Sequence, residues 1–174
     1  MSGSPTIAAI FAQRIVIGVA DMAASNNAHA TLSTYALGSC IGVIAYDTQV
    51  QAGAILHLML PTSSIAPDKA AAHPAMFADT GLPIFFRALA SLGAQAGSTR
   101  LYIAGGASVI HGTDPFRIGE RNIAATLDFL RRTVCVVRQK DVGGNYNRTV
   151  HLDMATGAVT IRAPHATSQF SLAT

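Results

Sequence analysis

Two side chains in this sequence are suited to act together on a carbonyl group: the thiol of Cys40 and the imidazole of His57. A lone cysteine is mostly protonated at neutral pH, its ordinary pKa being ~8.5, so as a nucleophile it needs a neighbour that takes the proton. Imidazole is the side chain best matched to that task. Cys40 stands in TYALGSCIGVIAYD, residues 34–47, where a tight turn feeds a strand, and His57 stands in QAGAILHLML, residues 51–60. Both runs are apolar and rich in β-branched residues and read as consecutive strands turning through Asp47, Thr48, Gln49 and Val50. If Tyr46 pairs with Gln51, Cys40 falls opposite His57, and directly opposed residues hold their Cβ atoms ~4.5 to 5.5 Å apart. A slip of one residue would turn one of the two to the other face of the sheet.

Gly38 permits a sharp approach to the strand, and the backbone N–H groups around Ser39 and Cys40 are then placed to hold the oxyanion of an attacked carbonyl. The same residues also fit a buried thiol and a core histidine satisfied by a backbone carbonyl. The spacing alone leaves both readings open.

What must position these groups is a chain of 174 residues, half of them apolar and 12% charged, which suits one folded domain. The net charge of +3 comes from scattered Lys and Arg, with no basic run interleaved with aromatics, so nucleic acid is a poor partner. The stretch TIAAIFA is far shorter than the ~18 apolar residues of a membrane span and lacks the flanks of a secretion signal. A cytoplasmic protein without membrane insertion is expected, with Cys40 and Cys135 as free thiols. His29, His73, His111, His151 and His165 show no ligand spacing with cysteines or carboxylates, so neither metal nor cofactor is expected. Gly105 and Gly106 lack the Gly-Lys-Ser/Thr ending of a phosphate loop and read as a tight turn at the rim of the site.

Residues 1–13 read as an N-terminal arm, 14–162 as the domain, and 163–174 as a C-terminal tail. Strands are expected at RIVIGV (14–19), TLSTYAL (31–37), CIGVIAY (40–46), QAGAILHLML, RLYIAGG (100–106), TVCVVR (133–138), TVHLDM (149–154) and GAVTIR (157–162). DMAASNNAHA (21–30) reads as a loop, and residues 61–74 as a surface loop. One helix starts near Asp79 or Thr80, with Pro83 in its first turn, and stops at Gly93. A second runs from about Asn122 through Arg132, opened by Glu120 and Asn122 serving its dipole and cap, with Arg121 solvated. Cys135 reads as core. The fold class is α+β, a single domain of mixed or mostly antiparallel sheets in an αβ sandwich with two main helices outside.

LGSCIGVIAYD, HLMLP (57–61), YIAGGASV, IGERN (118–122) and DVGGNYNRTV (141–150), in this order, resemble the CheD family of chemoreceptor glutamine deamidases. The chain departs from that pattern at GAIL (53–56), where the family commonly shows GG, and at Asn147. The resemblance implies a hydrolase of chemotaxis, a protein-glutamine glutaminase converting selected glutamine carboxamides of methyl-accepting chemoreceptors to carboxylates with release of ammonia. It also implies Cys40 as nucleophile, His57 as its histidine and Thr34, six positions before Cys40, as the third catalytic residue. Many members of that family bind a CheC-type phosphatase, and the resemblance leaves open whether this chain has such a partner. A non-catalytic adaptor binding receptor or phosphatase is the rival expectation.

Overall fold

The computed structural model describes residues 12–108 and 114–174. His111 and nearly all of the expected N-terminal arm lie outside the described residues. Ten strands form two five-stranded sheets. The first sheet has the order β1 (Gln13–Ile17), β3 (Ala30–Leu37), β8 (Arg148–Asp153), β9 (Ala158–Ala163), β10 (Ala166–Ser171). The second has the order β2 (Asp21–Ser25), β5 (Ala52–Leu58), β4 (Ile41–Asp47), β6 (Thr99–Gly105), β7 (Val136–Val142). The outer pairs β1–β3 and β6–β7 are parallel and the remaining pairs antiparallel, so both sheets are mixed. Among the described residues there are also three α-helices: α1 (Pro67–Ala72), α2 (Ala78–Ser91) and α3 (Ile118–Leu130).

The layering follows from which strand faces are apolar. Ile44, Tyr46, Ile55 and Tyr102 of the second sheet pack against Leu32, Val150, Leu152 and Val159 of the first. The opposite face of the second sheet, with Val43, Ala45, Leu56 and Leu101, is covered by Leu82, Phe85 and Leu89 of α2 and Leu130 of α3. Every residue of β4 and β5 is therefore buried, which is why both read as unbroken apolar runs rather than alternating ones. The α+β sandwich expected from the sequence is the observed architecture.

Several local expectations are corrected. Residues 21–25 form strand β2, although Asp and Ala favour strands weakly; an edge position along β5 gives Met22 and Ala24 the helix-side core to pack on. Within residues 61–74 lies α1, with Pro67 at its first turn. Residues 166–171, expected as tail, pair along β9 as an edge strand, and Leu172 beyond it is fully buried. Helix α2 begins at Ala78, so Pro83 sits inside it, and Asp79 accepts from the Ser63 N–H at 2.8 Å and hydroxyl at 2.7 Å instead of capping the helix. Gly93, with φ of 89°, ends it as expected. Helix α3 starts at Ile118, four residues early, with Arg117 rather than Asn122 in the cap position. Cys135 precedes β7 and is only half-buried.

Candidate active site

The four-residue turn of the β4–β5 hairpin lies one residue further along the chain than the sequence suggests, at 48–51 instead of 47–50. Tyr46 pairs with Gly53, and His57 lies opposite Gly42 instead of Cys40. Asp47 causes this: its Oδ1 accepts from the N–H groups of Gln49 at 2.8 Å and Val50 at 3.3 Å, and Gln51 takes a left-handed φ of 51°, so the turn needs residues 48–51. The shift is by two residues, an even number, so both side chains stay on one face. Cys40, at the head of β4, packs against the cluster between the sheets, and His57 points into the same layer. They are diagonal neighbours rather than opposed ones, a relation with Cα spacing of roughly 7 to 8 Å. Among the described residues the two share no hydrogen bond.

His57 meets the other sheet. Its Nδ1 lies 2.7 Å from Thr34 Oγ1, and that hydroxyl donates to the Ile17 carbonyl at 2.9 Å. A hydroxyl has one proton, so with Ile17 receiving it Thr34 must accept from Nδ1–H. The neutral tautomer is thereby set, and Nε2 carries the lone pair. Nε2 is buried and has no hydrogen-bond partner among the described residues. Burial holds the imidazole pKa down to about 4. Burial also pushes the Cys40 thiol above its ordinary value, against a smaller opposing pull from the residue's own backbone N–H. The resting pair is accordingly thiol and neutral imidazole.

Thr34 reaches His57 because β3 is bent beyond it. The β3–β8 pairing shifts between Thr34 and Leu37, and Ala36 in that step adopts a φ of 56°. The chain then turns through Gly38 into Cys40. Gly38 N–H donates to the Ala36 carbonyl at 2.9 Å and is not a free donor. Its carbonyl accepts from Ala107 N–H at 2.8 Å, and the Cys40 carbonyl accepts from Gly106 N–H at 2.8 Å. The N–H groups of Ser39 and Cys40 have no oxygen partner among the described residues. The Gly105–Gly106 turn lies directly against this loop: a Cβ on Gly105, whose φ is 109°, would stand 2.1 Å from the Cys40 carbonyl oxygen. The late glycine pair braces it in turn, Gly143 N–H donating to Gly105 and the Gly144 carbonyl accepting from Ser108.

Ser39 and Cys40 open onto a cavity of about 330 Å³ whose apolar rim includes Val19, Met59 and Phe116, with Asp114 at one side. Phe116 is 70% exposed, so the rim offers an apolar surface to whatever approaches the thiol. One residue near the site was missed by sequence reasoning. Asn122, expected at a helix cap, is fully buried, and its Nδ2 donates to the carbonyls of Ser39 and Met59, each at 2.9 Å. The available signal was its place in the buried stripe Gly119, Asn122, Thr126, Leu130, where a polar side chain must have partners. Glu120 pairs with Arg117 at the surface. Cys135 sits apart, in a second cavity of about 330 Å³ between α3 and β7, with Arg131 and Lys140.

Residues 59–163 match the family model described as CheD chemotactic sensory transduction. The chain is 45% identical over 149 residues to a probable chemoreceptor glutamine deamidase CheD 1 of Syntrophus aciditrophicus, covering 86% of this chain and 93% of that protein. It is 37% identical over 149 residues to a probable chemoreceptor glutamine deamidase CheD 2 of Anaeromyxobacter dehalogenans, covering 86% and 94%. The family-model match begins just after His57, whereas a match over 149 of 174 residues necessarily takes in the segment from Thr34 to His57. By both measures, and with the sandwich and glycine-braced loop described above, this chain belongs to the CheD family.

Proposed function

We propose that this protein hydrolyses glutamine side chains of chemoreceptors to glutamate and ammonia, with Cys40 as nucleophile, His57 as general base and acid, and Thr34 as the residue that orients His57. The relatives' names support the substrate and reaction. The observation that supports the residue roles is the hydrogen-bond chain Ile17 carbonyl, Thr34 hydroxyl, His57 Nδ1, which leaves Nε2 as an unpartnered base in the layer where Cys40 packs.

In this mechanism the glutamine carboxamide enters the cavity beside Cys40. His57 Nε2 takes the thiol proton as sulfur bonds to the carboxamide carbon, a general-base step consistent with a resting pair of neutral groups. The carbonyl π electrons move to oxygen, and the N–H groups of Ser39 and Cys40 hold that oxyanion. The oxyanion collapses, the C–N bond breaks, and the imidazolium gives its proton to the leaving nitrogen, releasing ammonia. Water, deprotonated by the same Nε2, attacks the thioester; the C–S bond breaks, glutamate forms, and the thiolate recovers its proton. Thr34 stays hydrogen-bonded to Nδ1–H throughout and keeps the ring in one orientation.

The test is incubation with a purified chemoreceptor cytoplasmic domain, read by ammonia release and by mass spectrometry of receptor glutamines. Wild type is expected to convert specific glutamines and to leave free glutamine almost untouched, because a protein surface supplies the binding energy. Cys40→Ala and His57→Ala are expected to lose nearly all turnover. Normal ammonia release by Cys40→Ala would end the assignment.

A further inference from the structure

We infer that Asn122 is a positioning residue that aims the Cys40 backbone N–H at the oxyanion, an inference that rests on the deamidase reading above. Three consecutive carbonyls around the thiol are tied down, and by different groups. Gly38 and Cys40 are held by backbone N–H groups of the Ala107 and Gly106 turn, while Ser39 is held by the Asn122 side chain. In a trans peptide the C=O and the next N–H point in opposite directions across one rigid plane, and this chain has no cis bond among its described residues. Holding the Ser39 carbonyl therefore directs the Cys40 N–H away from Asn122. The Ala107 bond to the Gly38 carbonyl directs the Ser39 N–H by the same rule. Each of the two donors left without an oxygen partner is thus set by a bond on its far side.

The amide orientation of Asn122 is forced. Both of its partners are carbonyl oxygens, which only the NH2 group can serve, so Oδ1 is left buried and without a partner among the described residues. The second partner, Met59, lies just past the end of β5. The last β4–β5 pair is Ile41 with Leu58, and beyond it one side chain replaces the ladder, joining the loop that carries Cys40 into β4 to the end of the strand that carries His57. Asn122 itself is fixed by close packing at the start of α3, where a Cβ on Gly119 would stand 2.5 Å from the Gly106 carbonyl oxygen. A leucine in this stripe would pack but would leave Ser39 free to rotate, and an aspartate would turn an acceptor toward two carbonyls.

The experiment compares wild type, Cys40→Ala, Asn122→Ala and Asn122→Asp on the receptor domain, together with alkylation of Cys40 by iodoacetamide followed by peptide mass spectrometry. Alkylation displaces iodide at a saturated carbon and forms no oxyanion, so it reads the thiol without the donor. Loss of an oxyanion donor lowers kcat by about 10²- to 10³-fold, and mis-aiming one is expected to cost about 10- to 100-fold in kcat. KM, the acid limb of the pH profile and the alkylation rate are expected to stay near wild type in both Asn122 variants. Unchanged kcat overturns the inference. So does a parallel fall in kcat and alkylation, or failure of both variants to fold, since either makes Asn122 a support of the fold and not of the donor. If wild type releases no ammonia while Cys40 is alkylated normally, the deamidase reading itself fails, and this inference with it.

Discussion

His57 is the residue whose environment says most about the chemistry. It is 1% exposed, is held neutral at rest by burial, and has one nitrogen fixed by Thr34. A base with a pKa near 4 stays unprotonated through the neutral range, so activity is expected to fall only as pH drops through about 4, well below the ordinary 6.5. Initial rates of ammonia release against pH check this, and an acid limb near 6.5 would contradict it. The same burial links stability to pH. Between 6.5 and about 4 the unfolded chain binds a proton at His57 that the folded chain refuses, so stability is full above 6.5 and declines through that window. His151, also lowered by burial, adds in the same direction. Urea titrations at pH 7.5 and 5 are expected to show a lower midpoint at pH 5. Thr34→Val removes the acceptor of Nδ1–H and frees the tautomer, and a loss of roughly 10²-fold in kcat is expected, smaller than for His57→Ala. Thr34 was legible only through the family resemblance, because its meeting with His57 joins two sheets and no spacing rule encodes that distance.

At the scale of elements, the site is a meeting of ends: the bent end of β3, the start of β4, the end of β5, the Gly105–Gly106 turn and the first turn of α3. Gly105→Ala tests the closest of these approaches. The new methyl would collide with the Cys40 carbonyl in a left-handed backbone position, and the expected result is a loss of at least about 1 to 3 kcal/mol of stability together with most of the turnover. Urea unfolding and the receptor assay read the two effects separately. The hairpin was legible as a hairpin, since two apolar β-branched runs flank a polar turn, but its register was not. Asp47 decides that by bonding Gln49 and Val50, and also Gln95 N–H at 2.8 Å and Ser98 Oγ at 2.6 Å from a distant segment. The face shared by Cys40 and His57 survived the error because parity, not exact pairing, determines face.

For the whole molecule, the stack of sheet, sheet and helices keeps Thr34 and His57 in register, since each belongs to a different sheet. The far edge of the first sheet contributes to that packing: Phe170 lies against Tyr102 across the layer at 6.2 Å, and Leu172 is fully buried. Leu172→Ala is expected to cost about 2 to 4 kcal/mol of stability through the cavity it leaves, while kcat of the folded protein stays near wild type. A chemical denaturation curve measures the first and the receptor assay the second; no loss of stability would return residues 163–174 to the status of a tail. This edge strand escaped sequence reasoning because ATSQFS is polar and mostly exposed, and only its partner β9 makes it a strand.

Local sequence alone determined the thiol and imidazole, the two apolar strands that carry them, the long helices and the α+β class, since all of these follow from side-chain chemistry and short-range periodicity. The tertiary structure decided which nitrogen of His57 carries the lone pair, which backbone donors beside Cys40 lack an oxygen partner among the described residues, and that Asn122 belongs to the loop and not to a cap. Those outcomes depend on groups far apart in the chain, and a hydrogen bond is satisfied by position in space rather than by order along the backbone.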